Sequence, residues 1–174
     1  MRVGSTNYTK RTCRIAIFVA LALIIFMIES LIPPVFAFAP GAKLGLANVI
    51  SLCALVLLGV VDSYIVVIVR CLLAVLIVGN PTSLIYSLPS STLALTTMVL
   101  LYTFVFPHIS IMSISFVSAI VFNIVQLIVA SWVVGNIFVL LLLPLMFLAS
   151  AGAGVFVGLV SYYTIKHIPI QVLL

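Results

Sequence analysis

Residues 14–32 read RIAIFVALALIIFMIESLI, an apolar run in which Glu29 is the only acidic residue. A helix needs about 20 mainly apolar residues to cross the hydrocarbon core of a bilayer. The run is followed by Pro33-Pro34, which ends a helix because proline lacks a backbone N–H and clashes with the preceding turn. This stretch therefore predicts a transmembrane helix.

The rest of the chain has the same character, with 66% hydrophobic and 5% charged residues among 174. A soluble domain carries roughly 25% charged residues, so most of the outer surface here is expected to face lipid. The apolar runs are too long and too uniform for the alternating strands of a β-barrel. We therefore predict an all-α polytopic membrane protein that forms a single integral membrane domain over residues 1–174. Its six expected helices cover residues 14–32, 44–60, 62–78, 83–106, 109–134 and 137–166.

Basic residues flank the first and last predicted helices: Arg2, Lys10, Arg11, Arg14 and Lys166. Because such residues remain on the cytoplasmic side, we expect a multi-pass cell-membrane protein with both termini, including residues 1–13, in the cytoplasm. The basic start and Ala37-Phe38-Ala39 also fit a cleaved signal peptide, although the apolar run is longer than a typical one. We favour a retained first helix.

Arg70 lies eight residues into the third predicted helix, about 12 Å along its axis from Asp62 at a rise of 1.5 Å per residue. A cation near the middle of a bilayer is expensive unless it is compensated. One interpretation is an anion-binding residue in a cavity that opens outward. The other is an internal ion pair with Glu29, and the two are compatible if a ligand shares the site.

Asn123 and Gln126 are spaced i, i+3, so they share one face of the fifth helix. They either bond neighbouring helices, as polar residues in membranes often do, or contact polar groups of a ligand beside Arg70. Tyr86 and the serines that follow it make the outer half of the fourth helix polar, which suits a water-accessible pocket and also ordinary helix contacts.

Motifs for catalysis are missing from the sequence. The two carboxylates, Glu29 and Asp62, lie on different helices. The chain has no P-loop, no HExxH zinc motif, no nucleophile elbow and no aspartate-rich diphosphate motif. The three cysteines have no pairing or metal-ligand spacing. We therefore expect no enzyme activity, no metal and no cofactor, and an ATP-driven process would need another subunit.

Two small-xxx-small motifs, Ala16 to Ala20 and Gly154 to Gly158, permit close approach between helices. Packing inside the protein is the default explanation for both, with docking of a partner as the alternative.

The segment PGAKLGLANVI at residues 40–50 resembles the Gx transporter family, which is also described as heptaprenyl diphosphate synthase component I. The resemblance extends over most of the chain and includes the first helix, Arg70, Asn123 and Gln126. Relatives commonly carry a histidine where this chain has Phe122. That departure puts in doubt any role assigned to this part of the fifth helix.

The family is similar to the substrate-binding S components of energy-coupling factor (ECF) transporters, which are six-helix proteins that capture micronutrients. The resemblance implies a membrane T component and two cytoplasmic ATPases as partners, with Ala16 and Ala20 docking onto the T component. It implies a ligand site near the outer surface with Lys43, Asn48, Arg70 and Tyr86 facing it. Glu29, Asn123 and Gln126 complete the candidate set.

The family description also implies a link to isoprenoid or quinone metabolism, so an anionic isoprenoid or quinone precursor is a candidate ligand. The alternative function is a non-catalytic membrane subunit of an isoprenoid- or quinone-related enzyme or redox complex. Neither function requires nucleic acid.

Overall fold

The computed structural model describes residues 3–31, 45–79, 81–106 and 108–167. In this part of the chain the regular structure is helical, which confirms the predicted all-α class. The helices are α1 (Val3–Leu31), α2 (Asn48–Leu58), α3 (Val60–Val78), α4 (Thr82–Phe104), α5 (Ile111–Val134) and α6 (Leu143–His167), and a 3₁₀ segment, Ile137–Leu142, precedes α6.

The surface of the bundle is apolar, while several polar side chains are buried. Trp132, Leu76 and Phe104 are 80%, 78% and 77% exposed, whereas Ser63 and Ser90 are fully buried. A soluble protein has the opposite distribution. Large exposed apolar side chains recur on every long helix and give the fold an outer face suited to lipid tails. The chain is therefore a membrane protein.

Four helical stretches in the described residues are long and apolar enough to cross a membrane: Tyr8–Ser30, Val60–Ile77, Ser83–Phe104 and Ile111–Val134. The expected count of six spans is therefore not supported. The helix expected over residues 44–60 is only 11 residues long in α2, a rise of about 16 Å against a hydrocarbon core of about 30 Å. The last region provides two shorter apolar stretches, Ile137–Leu148 and Gly154–Thr164.

The turn between α2 and α3 is a single residue, Gly59, with a φ of 93°. This region of backbone space favours glycine because a Cβ would meet the following carbonyl. The Gly59 N–H still bonds to the Leu55 carbonyl at 3.2 Å. The chain therefore passes from α2 into α3 through a single residue, in agreement with the short spacing between the two apolar runs.

Two contacts define which ends of the helices lie together. Arg11 near the start of α1 donates from Nε to both carboxylate oxygens of Asp62 near the start of α3, at 2.9 and 3.1 Å. Gly158 near the end of α6 lies against Met112 at the start of α5. Because α3, α4 and α5 alternate in direction, the start of α1 and the end of α6 lie at the same end of the bundle, which we call the terminal end.

The helix limits differ from expectation at two other places. Helix α1 begins at Val3, so Lys10 and Arg11, which were expected to precede the membrane helix, lie in its first turns. The segment between the first two expected helices, residues 33–43 with Lys43, lies outside the described residues. Pro144 is the second residue of α6, a position where the missing N–H of proline removes no helical hydrogen bond.

Candidate ligand-binding site

A small cavity of about 20 Å³ lies among α1, α3, α4 and α5, beside the start of α2. It is on the side of Arg70 that faces away from the terminal end. Its polar lining consists of Glu29, Arg70, Ser83, Ser87, Ser91 and Gln126, and its apolar lining consists of Phe26, Gly45, Ala47 and Phe122. Residues from four helices therefore bring a cation, a carboxylate, an amide and three hydroxyls together around one space.

Arg70 is the cation of this cavity and is only 4% exposed. Its Nη2 donates to the Ser91 hydroxyl at 2.7 Å, while its buried Nε has no hydrogen-bond partner. Burying a polar group without a partner costs roughly 1–3 kcal/mol, and more for a charged one. The guanidinium is thus held in place with part of its hydrogen-bonding capacity unused.

The three serines of the lining lie on one face of α4, at spacings of four residues. The hydroxyls of Ser83 and Ser87 are buried without a hydrogen-bond partner, whereas Ser91 accepts from Arg70. By contrast, the neighbouring Ser90 hydroxyl donates to the Tyr86 carbonyl of its own helix at 2.6 Å. Helix carbonyls usually satisfy membrane serines in this way, so the unpartnered pair marks the cavity as unusual.

Glu29 is 5% exposed and accepts a hydrogen bond from the Gly45 N–H at 2.6 Å. The carboxylate thereby supports the turn that leads into α2, at a helix end where negative charge is favourable. Glu29 and Arg70 line the same cavity. Elsewhere in the described residues, Arg11 and Asp62 form an ion pair.

The remaining predicted site residues differ in where they lie. Gln126 lines the cavity, and the Asn48 side chain lies behind it, beside Gly45. Tyr86 is buried in a separate apolar cluster with Leu127 and Met146. Asn123 lines a wider apolar groove between α5 and the start of α6. Lys43 lies outside the described residues.

Sequence reasoning missed Ser83, Phe26 and Phe122 as parts of this cavity. The serine could have been found, because Ser83, Ser87 and Ser91 share the four-residue spacing of one helix face. The aromatic rings carried no comparable signal, since a phenylalanine in a membrane helix more often faces lipid or a neighbouring helix than a site.

The family described as heptaprenyl diphosphate synthase component I matches residues 18–164, which is most of the chain. This chain belongs to that family. The assignment agrees with the resemblance that residues 40–50 had indicated. No curated protein and no solved structure gives a significant match.

The family description names a component of a synthase, and the chemistry of such an enzyme can be compared with the residues present. In the described residues no group of three or more His, Cys, Asp or Glu side chains could hold a metal ion. The cavity has one carboxylate, Glu29, which is already bonded to Gly45. Its lining is suited to binding a small polar group, and the described side chains would not hold a magnesium–diphosphate pair.

The two small-xxx-small motifs of this family member lie in different environments. Ala16 and Ala20 are on the exposed side of α1. Gly154 and Gly158 instead face α5, where a Cβ would lie 2.9 Å from the Phe116 Cα and 2.8 Å from the Met112 Cα. The glycine motif therefore packs α6 against α5, and the alanine motif is left on the surface.

Proposed function

We propose that this chain is the substrate-capture subunit of an ECF-type importer for a micronutrient. It binds its ligand in the cavity around Arg70 and does not catalyse a reaction. An anionic isoprenoid or quinone precursor is the specific candidate ligand. In this proposal the terminal end faces the cytoplasm, so the cavity lies in the outer part of the membrane, where an imported solute arrives.

The observation that carries the proposal is the set of unpartnered polar atoms around one cavity. Arg70 Nε and the hydroxyls of Ser83 and Ser87 are buried without hydrogen bonds and all line the same cavity. Folding alone does not favour such an arrangement in lipid, because each unsatisfied group costs free energy. A ligand that bonds to these atoms would offset that cost.

The proposed site also includes residues beyond the immediate lining. Glu29 and Gln126 contribute polar atoms to the cavity, and Asn48 supports the Gly45 turn that closes one side of it. Lys43, Tyr86 and Asn123 complete the set that the family resemblance implied. Their roles are secondary in this proposal, since the structure describes Lys43 nowhere and puts the other two outside the cavity.

The proposed partners are a transmembrane T component and two cytoplasmic ATPases, which supply the ATP hydrolysis that this chain lacks. Ala16 and Ala20 are the proposed contact on α1. Their exposure supports this role, because a small-residue motif that is unused inside the fold leaves room for the backbone of another helix.

Native mass spectrometry of the protein extracted from its own membrane tests ligand capture. We expect the wild-type chain to retain a small molecule and Arg70→Gln to lose it. Loss of a charge-assisted hydrogen bond of roughly 1.5–3 kcal/mol weakens binding by about tenfold to more than a hundredfold. Arg14→Gln is the matched control, since Arg14 is partly exposed and lies outside the cavity. Equal retention by Arg70→Gln would remove Arg70 from the site.

Stability measurements separate this role from structural pairing with Glu29. If Arg70 serves a ligand, Arg70→Gln should leave the unliganded protein about as stable as wild type, because the neutral amide removes an expensive buried charge. If the two charges stabilise each other instead, the same change destabilises the protein and Glu29→Gln partly restores its unfolding temperature.

The second candidate is a non-catalytic membrane subunit of an isoprenoid- or quinone-related enzyme or redox complex, and the family description favours it. Copurification from native membranes distinguishes the two. A T component with ATPases supports the importer, whereas a prenyl synthase subunit supports the alternative. Under both, the purified chain alone should have neither ATPase nor prenyltransferase activity, and turnover abolished by one of its own point mutations would overturn both.

A further inference from the structure

The charge of the cavity limits what its ligand can be. Of the described residues that line it, Arg70 and Glu29 are the charged ones, so their formal charges sum to zero. A diphosphate carries about three negative charges near neutral pH, and buried charges are costly unless they are compensated. Protein sites for such groups supply several cations, magnesium or clustered backbone N–H groups. Among the described side chains of the lining, one arginine beside a carboxylate suits a single negative charge.

The volume of the cavity gives the same limit. Its volume of about 20 Å³ is close to the roughly 10–15 Å³ that one water molecule needs on this measure. The two oxygens and one carbon of a carboxylate approach that size, whereas the nine heavy atoms of a diphosphate do not. Only the head group of a ligand can occupy this space without a large rearrangement.

The unpartnered Nε of Arg70 is the same type of donor that binds a carboxylate elsewhere in this protein. Asp62 accepts from both Nε and Nη2 of Arg11, with Nε 2.9 Å from Oδ1. In Arg70 the corresponding Nη2 bonds to Ser91 while Nε has no partner. The planar guanidinium edge matches a carboxylate in geometry and charge.

The serine hydroxyls extend this donor set. Ser91 accepts from Arg70, which leaves its own hydrogen to donate to an anion. The unpartnered Ser87 and Ser83 hydroxyls follow at one and two helical turns, about 6 and 12 Å along α4. They form a row of hydrogen-bonding groups that leads from Arg70 toward the first turn of α4.

We propose that the cavity receives the carboxylate group of the ligand, bound by Arg70 Nε and the adjacent serine hydroxyls. This inference rests on the proposed capture function. It selects one class among the anionic ligands, and it separates the ligand of this chain from the diphosphate in the name of its family.

Three probes with the same ten-carbon chain test the head group: geranic acid, geraniol, and geranyl diphosphate with Mg²⁺. Binding to the full-length protein in lipid nanodiscs is measured by the shift in unfolding temperature and by titration. We expect the acid to bind at least about tenfold more tightly than the alcohol, and the diphosphate to bind no better than the alcohol. Arg70→Gln should remove the preference for the acid.

Two adjacent serines give a matched pair of variants. Ser87→Ala removes an unpartnered hydroxyl of the cavity, so it should weaken binding of the acid several-fold. Ser90→Ala removes a hydroxyl that bonds within α4, so it should leave binding unchanged. An equal effect of both variants, or of neither, would contradict the assignment of Ser87.

The outcomes also separate this inference from the proposed function. Tighter binding of the diphosphate, or a ligand without a carboxylate in the mass spectrum of the native protein, overturns the inference and leaves substrate capture standing. If the native protein retains no ligand and no probe shifts its unfolding temperature, the proposed function fails and the inference fails with it. A retained carboxylic acid that is lost in Arg70→Gln supports both.

Discussion

Gly45 adopts a φ of 78° beside the cavity, where a Cβ would lie 3.0 Å from Asn48 Nδ2 and 3.1 Å from the Phe122 ring. We expect Gly45→Ala to destabilise the protein by more than the roughly 1–2 kcal/mol of a left-handed backbone alone. Gly79→Ala is the matched control, since Gly79 has a φ of 68° and nothing within 4 Å of the added carbon.

Chemical unfolding of the two variants in detergent measures the difference between them. Because the backbone term is shared, the excess loss in Gly45→Ala reports the contact with Asn48 and Phe122. Equal losses would mean that the Asn48 and Phe122 side chains shift to accommodate the added carbon at little cost in free energy.

The importance of Arg70 could be read from the sequence, because a cation in the middle of an apolar helix must be compensated. Its partner could not. The choice between Glu29 and Ser91 depends on how α3 is rotated relative to α1 and α4, and apolar helices carry little periodic signal for that rotation. The same ambiguity explains why Ser83 was overlooked, whereas Tyr86, on the same helix, is buried in the apolar cluster with Leu127 and Met146.

At the scale of elements, the contact between α5 and α6 depends on two glycines. We expect Gly154→Ala and Gly158→Ala each to destabilise the protein by about 1–3 kcal/mol, as overpacking does, since the added carbon would lie within 3 Å of the α5 backbone. Gly152→Ala is the control on the same helix, with nothing within 4 Å. It should be neutral or slightly stabilising because alanine favours helix.

Unfolding temperatures of the three variants check this prediction. A loss in Gly152→Ala as large as in the other two would indicate a general effect of β-carbons on α6 and would count against close packing of its backbone on α5.

The helical class followed from composition, whereas the number of spans did not. Residues 44–60 are apolar throughout, but the helix occupies only Asn48–Leu58. Hydropathy measures how well a segment tolerates lipid and does not measure how much of it is helical. The region from Ile137 to Leu148 illustrates the same limit, because its first residues form a 3₁₀ segment before α6 begins.

For the whole molecule, the orientation of the bundle in the membrane can be tested. The contacts of Arg11 with Asp62 and of Gly158 with Met112 place the start of α1 and the end of α6 at the same end of the bundle. Arg11 and Arg14 at one end of the chain and Lys166 at the other concentrate basic charge there. We therefore expect both termini in the cytoplasm.

Fusions of a reporter that is active only in the cytoplasm, and of one that is active only outside it, determine the side of each terminus. Opposite sides for the two termini would contradict the helix directions. Both termini outside would instead mean that the basic residues do not control the orientation, and the cavity would then open toward the cytoplasm.

Assembly with an energising partner depends on the exposed side of α1. Ala16→Leu with Ala20→Leu changes two exposed alanines to larger leucines. We expect the double variant to fold with an unchanged unfolding temperature but to lose most of its copurification with a T component and ATPases, because bulky side chains prevent close approach of two helix backbones.

Two controls on the same helix make this result specific. Ile17→Leu changes an exposed residue without adding volume, so it should keep both stability and association. Ala22→Leu adds the same isobutyl group at a residue that is 1% exposed, so it should destabilise the protein by overpacking. If the Ala16/Ala20 double variant behaves like Ala22→Leu, the alanines pack internally. If it behaves like Ile17→Leu, the partner does not bind this face of α1.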